Sequence, residues 1–311
     1  MPEGFRITRM YHPSFHAPDL DEVEAWFERV FGAASTNISE TFKGRETGSY
    51  PTTYSTFTPM ADVLMDTIAP TLYVLNGAQQ YASVDQPHLK TIGWFAENSE
   101  GVYRSLRSAG IAMVDQYGKP AEGEDAPRSA GGGAMPLYFT VPESAGLRHE
   151  VLPDFPFGLD HRNAPGWTPP TSPQGPLGLE RCAFHTLLTD DPQRALHTLV
   201  DALGGTVFHQ GRDEVIGAAA SYVHLADTVL QVAVPDQGTA AYADWTTSAR
   251  GDTYHSLTFK VADPDRAAEH LKSQGVGIRS RTEDTLVTDP ATSINVPWGF
   301  TTALVPGDPR V

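Results

Sequence analysis

The sequence predicts an α+β fold built from four strand–helix–strands modules (βαβββ) arranged as two domains. Three observations predict it: an internal repeat at one fixed offset, four successive helices each stopped by glycine, and a proline-rich break near the middle. Ala61-Asp62 opens an apolar, β-prone run that ends at Pro70, and Ala226-Asp227 opens another that ends at Pro235 after the same count. Val102–Ile111 resembles Ala267–Val276 at the same offset of 165 residues. Two independent matches at one offset indicate duplication of a half-chain.

Each half divides again. Residues 8–17 read as a strand, and Asp19 then caps a helix whose apolar face carries Val23, Trp26, Phe27, Val30 and Phe31. Gly32 stops that helix, and extended segments follow to about residue 75. The second cycle starts at Thr91, with a helix over 99–108, a stop at Gly110 and a closing strand Leu147–Leu152. The third has a strand at 182–188, a helix over 192–203 and the stop Gly204-Gly205; the fourth has a strand at 255–261, a helix over 264–273 and the stop Gly275. The expected domains are residues 1–155 (modules 8–75 and 88–155) and 179–311 (modules 179–236 and 250–308). Residues 156–178 join them, and Pro165, Pro169, Pro170, Pro173 and Pro176 make this a semi-rigid linker, since proline neither donates to a strand ladder nor continues a helix. Gly118–Gly133, with Gly131-Gly132-Gly133, reads as a mobile loop over a strand edge; it lacks the strand-to-helix setting of a phosphate loop.

Composition narrows the function classes. The 311 residues are 40% hydrophobic and 19% charged, which is globular rather than disordered. No apolar run reaches the roughly 18 residues of a membrane span, and the N-terminus lacks the apolar stretch of a signal peptide. A cytoplasmic location follows as the default. Cys182 is the single cysteine, so neither an internal disulfide nor a multi-cysteine metal site is available. The net charge of −16 disfavours nucleic acid and anionic membrane, both polyanions, as partners. A small-molecule substrate is the expected partner, and self-association into a homo-oligomer stays open. No G-x-S-x-G elbow is present.

The stretch Met10-Tyr11-His12-Pro13-Ser14-Phe15-His16-Ala17-Pro18-Asp19-Leu20, its helix ending in Val30-Phe31-Gly32, and the closing strand Gly146-Leu147-Arg148-His149-Glu150-Val151 carry a family likeness. With the order of elements repeated four times, the chain resembles the vicinal oxygen chelate superfamily, which includes glyoxalases, extradiol ring-cleaving dioxygenases and bleomycin-resistance proteins. The resemblance implies that modules pair into two curled mixed-sheet domains around a cleft. It also implies a divalent metal (Fe, Mn or Zn) held by ligands from the first and last strands of paired modules, with positions left open for two substrate oxygens.

Carried across residue by residue, the first module offers His12 and, where Glu is usual, Asp66; the second has Thr91 in place of His and a well-matched Glu150. The third has His185 about one residue out of register, and Gln231 in place of the acid. In the fourth, Ser256 aligns with Thr91, His255 lies one residue away, and Thr302 falls where Glu is expected. If the first module pairs with the second, the cleft holds His12, Asp66 and Glu150. If it pairs with the fourth, His255 joins His12 and Asp66. The metal candidates are therefore His12 and Glu150, with Asp66 and His255 competing for the third place.

Plainer roles stand beside these. His12, His185 and His255 also suit satisfied histidines on buried strands, whereas a carboxylate inside an apolar strand, as at Glu150 and Asp66, is costly unless paired or metal-bound. His16 reads as a rim group, and His149, of opposite parity to Glu150, as outward-facing. Trp94, Phe95, Tyr138, Phe139 and Trp298 serve as core or cleft wall. The expectation is a metal-dependent enzyme, a ring-cleaving dioxygenase or an isomerase or lyase, acting on a small aromatic or hydrophobic substrate with adjacent oxygens. The alternatives are a metal-free binding protein and a cofactor-free isomerase with Glu150 or Asp66 as its catalytic base.

Overall fold

Every module opens on a long buried strand, and these strands organise the protein. The computed structural model describes residues 4–130, 134–170, 175–248 and 251–311. The glycine run 131–133 and residues 171–174 of the proline-rich segment lie outside the described residues.

In the N-terminal half the elements are β1 (Arg6–His16), α1 (Leu20–Phe31), β2 (Thr36–Asn37), β3 (Ser55–Met60), β4 (Val63–Ile68), β5 (His88–Glu97), α2 (Ser99–Ser108), β6 (Met113–Val114), β7 (Tyr138–Thr140) and β8 (Arg148–Pro153). They form one eight-stranded mixed sheet in the order β2-β3-β4-β1-β5-β8-β7-β6. β1 and β5, the opening strands of two modules, pair antiparallel at its centre, and each runs parallel to its own closing strand, β4 or β8. The first module therefore pairs with the second.

The C-terminal half repeats this with β9 (Leu179–Leu188), α3 (Pro192–Leu196, continued as a π-turn His197–Ala202), β10 (Thr206–Asp213), β11 (Ala218–Leu225), β12 (Thr228–Pro235), α4 (Ala240–Thr247), β13 (Thr253–Val261), α5 (Pro264–Ser273), β14 (Ile278–Arg281), β15 (Thr285–Thr288) and β16 (Gly299–Thr301). Its sheet runs β10-β11-β12-β9-β13-β16-β15-β14. The local signals act as expected. Asp19 accepts hydrogen bonds from the Asp21 and Glu22 amides, and Gly32 ends α1 in the left-handed region at φ 67°.

The helical faces of the two halves meet in a shared apolar core. Trp298, fully buried, lies 5.3 to 5.8 Å by ring centroid from Phe31, Phe27 and Trp26 of α1. Helix ends are tied across the same interface: His270 of α5 bonds the Val30 carbonyl at 2.9 Å, and Ser105 of α2 donates to the Ala202 carbonyl at 2.8 Å.

A second tie is reciprocal. The β3–β4 hairpin of the first half turns at Ala61-Asp62, and Asp62 Oδ1 accepts from the Cys182 amide of β9 at 2.6 Å. The β11–β12 hairpin of the second half turns at Ala226-Asp227, and Asp227 Oδ1 accepts from the Met10 amide of β1 at 2.7 Å. These are the Ala-Asp pairs that open the sequence repeat. Both alanines adopt a positive φ (52° and 57°), which holds the turn while Asp reaches across.

At the receiving end each opening strand carries an irregular register, between Met10 and His12 in β1 and between Cys182 and Phe184 in β9. A guanidinium takes up the carbonyls there: Arg162 donates to the Met10 and Tyr11 oxygens at 2.8 and 2.7 Å, and Arg310 to the Cys182 and Ala183 oxygens at 3.2 and 2.6 Å. Asp160 and Asp308 orient the two arginines through bidentate pairs. Among the described residues no helix is long and apolar enough to cross a membrane.

Replacing Trp298 by Ala removes the ring that joins the halves. Urea unfolding should show a loss of about 3–5 kcal/mol, and a loss below about 1 kcal/mol would contradict a shared core.

Candidate active site

Strand parity decides which side chains share the face of the N-terminal sheet turned away from the helices. In β1, Phe15 turns to the helices, where its ring meets Phe27 and Trp298, and His12 turns to the open face. In β4 that face receives Asp66, which pairs across β3 with Phe57. In β8 it receives Glu150, opposite Gly93 of β5. Three strands from two modules thus converge: His12 Nε2 lies 3.5 Å from Glu150 Oε2 and 3.9 Å from Asp66 Oδ2. Thr91 is buried, and its hydroxyl has no hydrogen-bond partner; Asp66 Oδ1 has none either.

Gly93 makes room for the imidazole. A Cβ there would stand 3.1 Å from both Cε1 and Nε2 of His12, closer than side chains normally approach. On the other side the ring meets Tyr11, centroid to centroid at 4.2 Å, and its Nδ1 lies 3.4 Å from the Ser14 hydroxyl. The ring has little slack.

Burial governs the ionisation of the trio. Desolvation, with the Arg162 charge behind it, lowers the His12 pKa to about 3, so the imidazole is neutral. Desolvation and then the Glu150 charge raise Asp66 well above the usual carboxylate range. Desolvation lifts Glu150 to about 7, against the opposing pull of Arg148. Two carboxyls share a buried site beside a neutral imidazole, and burial favours their protonated forms until a cation or a hydrogen-bond donor meets them.

An aromatic layer covers the trio. Tyr54 and Tyr73 stack at 4.0 Å, and Tyr11 stacks on Phe95 at 4.3 Å. The Tyr50 hydroxyl lies 3.4 Å from those of Tyr54 and Tyr73, and Gln116 hydrogen-bonds to Tyr73. Beyond Tyr50 a cavity of about 280 Å³ opens, lined by Phe42, Arg45, Leu75, Asn76 and Tyr117.

The donor set, one imidazole and two carboxylates with a carboxylate oxygen left unpartnered in the interior, fits a divalent cation. The spacing is looser than a closed centre: among the described residues no three His, Cys, Asp or Glu side chains form a group arranged to hold a metal ion.

His255 is not brought to this site. It belongs to the C-terminal sheet, where its Nε2 lies 2.8 Å from Asp244 Oδ2 and its Nδ1 3.2 Å from the Ser256 hydroxyl. Arg279 pairs with the same Asp244, and the group borders a different cavity, of about 460 Å³. The register of β13 shifts at His255, which falls between the paired residues Ser256 and Tyr254, and the ring is held on Asp244 within its own half.

Register places the C-terminal equivalents. Phe184 stands opposite Thr258 as His12 stands opposite Gly93, Gln231 is beside Thr186 as Asp66 is beside Ser14, and Gly299 is beside Thr258 as Glu150 is beside Gly93. Gly299, not Thr302, thus holds the last position, because β16 ends at Thr301. His185 points the other way, to Tyr254 and Cys182. Gln231 is fully engaged by Thr186, Asp213 and Tyr222. His149 corrects another expectation: it is buried, not outward, because the helix layer covers that face, and its Nδ1 accepts from the Trp94 indole at 3.1 Å. His16 is also buried, its ring 4.7 Å from that of Tyr81.

Comparison with known proteins agrees with this architecture. Residues 179–303 match the Glyoxalase/Bleomycin resistance protein/Dioxygenase superfamily. Over the whole chain the fold is similar to a mutant 4-hydroxymandelate synthase from Streptomyces coelicolor (TM-score 0.59, 11% identity, covering 95% of this chain and 92% of that one). It is equally similar to an Mn(II)-bound glyoxalase from Novosphingobium aromaticivorans (TM-score 0.59, 13% identity, 99% and 87%). A fusion of a xylose isomerase-like TIM barrel with a 4-hydroxyphenylpyruvate dioxygenase also matches (TM-score 0.56, 11% identity), this chain covering 51% of it, about half its length. No curated protein matches the sequence. The C-terminal half is thus similar in sequence to that superfamily's domain, and the two halves together share the vicinal oxygen chelate fold of these structures.

In metal-free protein the raised Glu150 pKa sets a pH dependence. Its protonated form supports the fold fully below about pH 4.5, its ordinary value, and this support is lost as pH rises through about 7. Stability should fall by roughly 2–3 kcal/mol across that window, and Glu150→Gln should flatten the fall. An unchanged slope in the variant would contradict a buried, protonated Glu150.

Proposed function

We propose that the open face of the N-terminal sheet is the active site of a metal-dependent enzyme. Its substrate is a small, aromatic or hydrophobic molecule with two adjacent oxygens. The observation that carries this is the convergence of His12, Asp66 and Glu150 from three strands of two modules, with Asp66 Oδ1 left unpartnered in the interior. His12 would ligate through Nε2, Asp66 and Glu150 through carboxylate oxygens, and Fe, Mn and Zn all accept such donors. A divalent ion held there would supply Lewis-acid pull on the adjacent oxygens, favouring an enolate or phenolate.

The chain's own residues do the rest. Thr91, standing where a second histidine would be, presents a small buried hydroxyl without a hydrogen-bond partner. Glu150, which burial lifts to about 7 in the metal-free protein, would give up its proton on meeting the ion. The Tyr54, Tyr73 and Phe95 rings receive an apolar body and exclude water. The cavity beside Tyr50 would offer a way in if that ring moved aside. Ring-cleaving oxygenation and isomerase or lyase chemistry share this arrangement.

A second reading draws on the loose spacing of the trio and on Thr91: a metal-free site in which Glu150 is the general base. Elemental analysis of protein purified without added metal separates the two. The metal reading expects about one equivalent per chain, and release of it in His12→Ala. Less than about a tenth of an equivalent, with no gain on reconstitution, would sink that reading.

A further inference from the structure

We infer that Asp227 and Arg162 are positioning residues for His12, so that the C-terminal half aims a donor of the N-terminal site. This rests on the proposed role of His12.

β1 departs from regular pairing between Met10 and His12. An irregularity of this kind frees backbone groups from the ladder and re-aims the side chain that follows. The groups freed here are held by anchors that are not part of the sheet's own pairing. Asp227 Oδ1, from the β11–β12 turn 217 residues away, accepts from the Met10 amide at 2.7 Å. Arg162 takes the Met10 and Tyr11 carbonyls at 2.8 and 2.7 Å, and both Asp160 carboxylate oxygens hold its Nε and Nη2 edge. The residue after these three anchored groups is His12. Its ring packs closely on Gly93, where a Cβ would stand only 3.1 Å away, so a shift of Met10 and Tyr11 is carried to the imidazole.

The pseudo-symmetric copy supplies an internal control. Asp62 holds the Cys182 amide at 2.6 Å, Arg310 takes the Cys182 and Ala183 carbonyls, and the residue that follows is Phe184. The same device therefore aims a histidine in one half and an inert ring in the other. Equal backbone geometry with unequal chemistry predicts unequal consequences of the same substitution.

The test compares Asp227→Ala with Asp62→Ala in the full chain by two readouts: Mn²⁺ affinity by titration calorimetry, and His12 ring resonances in a two-bond proton–nitrogen correlation spectrum of the metal-free protein. Both variants lose one backbone anchor and should lose stability to a similar degree. Asp227→Ala should shift the His12 resonances and weaken Mn²⁺ binding at least about tenfold, while Asp62→Ala leaves both within error. Asp227→Asn, which keeps an acceptor oxygen without the charge, should restore both. If Asp227→Ala does not fold, Asp227→Ser with its shorter acceptor takes its place. An unmoved His12 signal in the Asp227 variant, or equal effects from the two substitutions, overturns the inference. If wild-type protein binds no Mn²⁺, the metal reading fails, but the His12 resonances still decide the positioning claim.

Discussion

The structure depends on the exchange of one aspartate between its halves. Each half sends a hairpin turn, Ala61-Asp62 or Ala226-Asp227, onto the opening strand of the other, where its carboxylate takes a backbone amide that the sheet does not use. An arginine that follows the last strand of the receiving half, Arg162 or Arg310, then takes the neighbouring carbonyls. Buried backbone groups need partners, and an irregular strand leaves several without them. Here two charged side chains supply those partners at each irregularity. The opening strands sit at the centre of both sheets, so the placement of every later strand follows from theirs.

With β1 and β5 fixed at the centre, the rest of the site is a matter of parity. Closing strands β4 and β8 run parallel to their opening strands, and alternation brings Asp66 and Glu150 to the face that His12 occupies. The C-terminal half reproduces this geometry with Phe184, Gln231, Ser256 and Gly299 at the corresponding places, none of them a strong ligand. Gln231 shows how such a site becomes structural: its amide is satisfied by Thr186, Asp213 and Tyr222. The half that matches the superfamily by sequence is the one that has lost the donors. Duplication has kept the fold in both halves and concentrated the candidate chemistry in one.

Much of this architecture was legible in the residues. The amphipathic spacing from Val23 to Phe31 and its stop at Gly32 gave α1, and the Ala-Asp repeat located the duplication. Local signals of this kind act within a few residues, so sequence carries them. The meaning of the repeat was not legible, because Asp62 and Asp227 act on partners 120 and 217 residues away. Residue spacing alone likewise allows His12 to pair with Glu150 or with His255. Long-range strand order settles it, and spacing does not encode that order. Burial of His149 has no such signal, because parity tells which face a residue takes, not what covers that face. The roles of Arg162 and Gly93 had no sequence signal; a lone arginine and a lone glycine look alike everywhere until the strands they serve are placed.

The central claim is that His12, Asp66 and Glu150 together bind one divalent cation. Anomalous diffraction from crystals grown with Mn²⁺ tests it directly. The account predicts a single strong peak about 2.0–2.2 Å from His12 Nε2 and from an oxygen of each carboxylate. A peak at Asp244 and His255 instead, or no peak near His12 at saturating Mn²⁺, would contradict it.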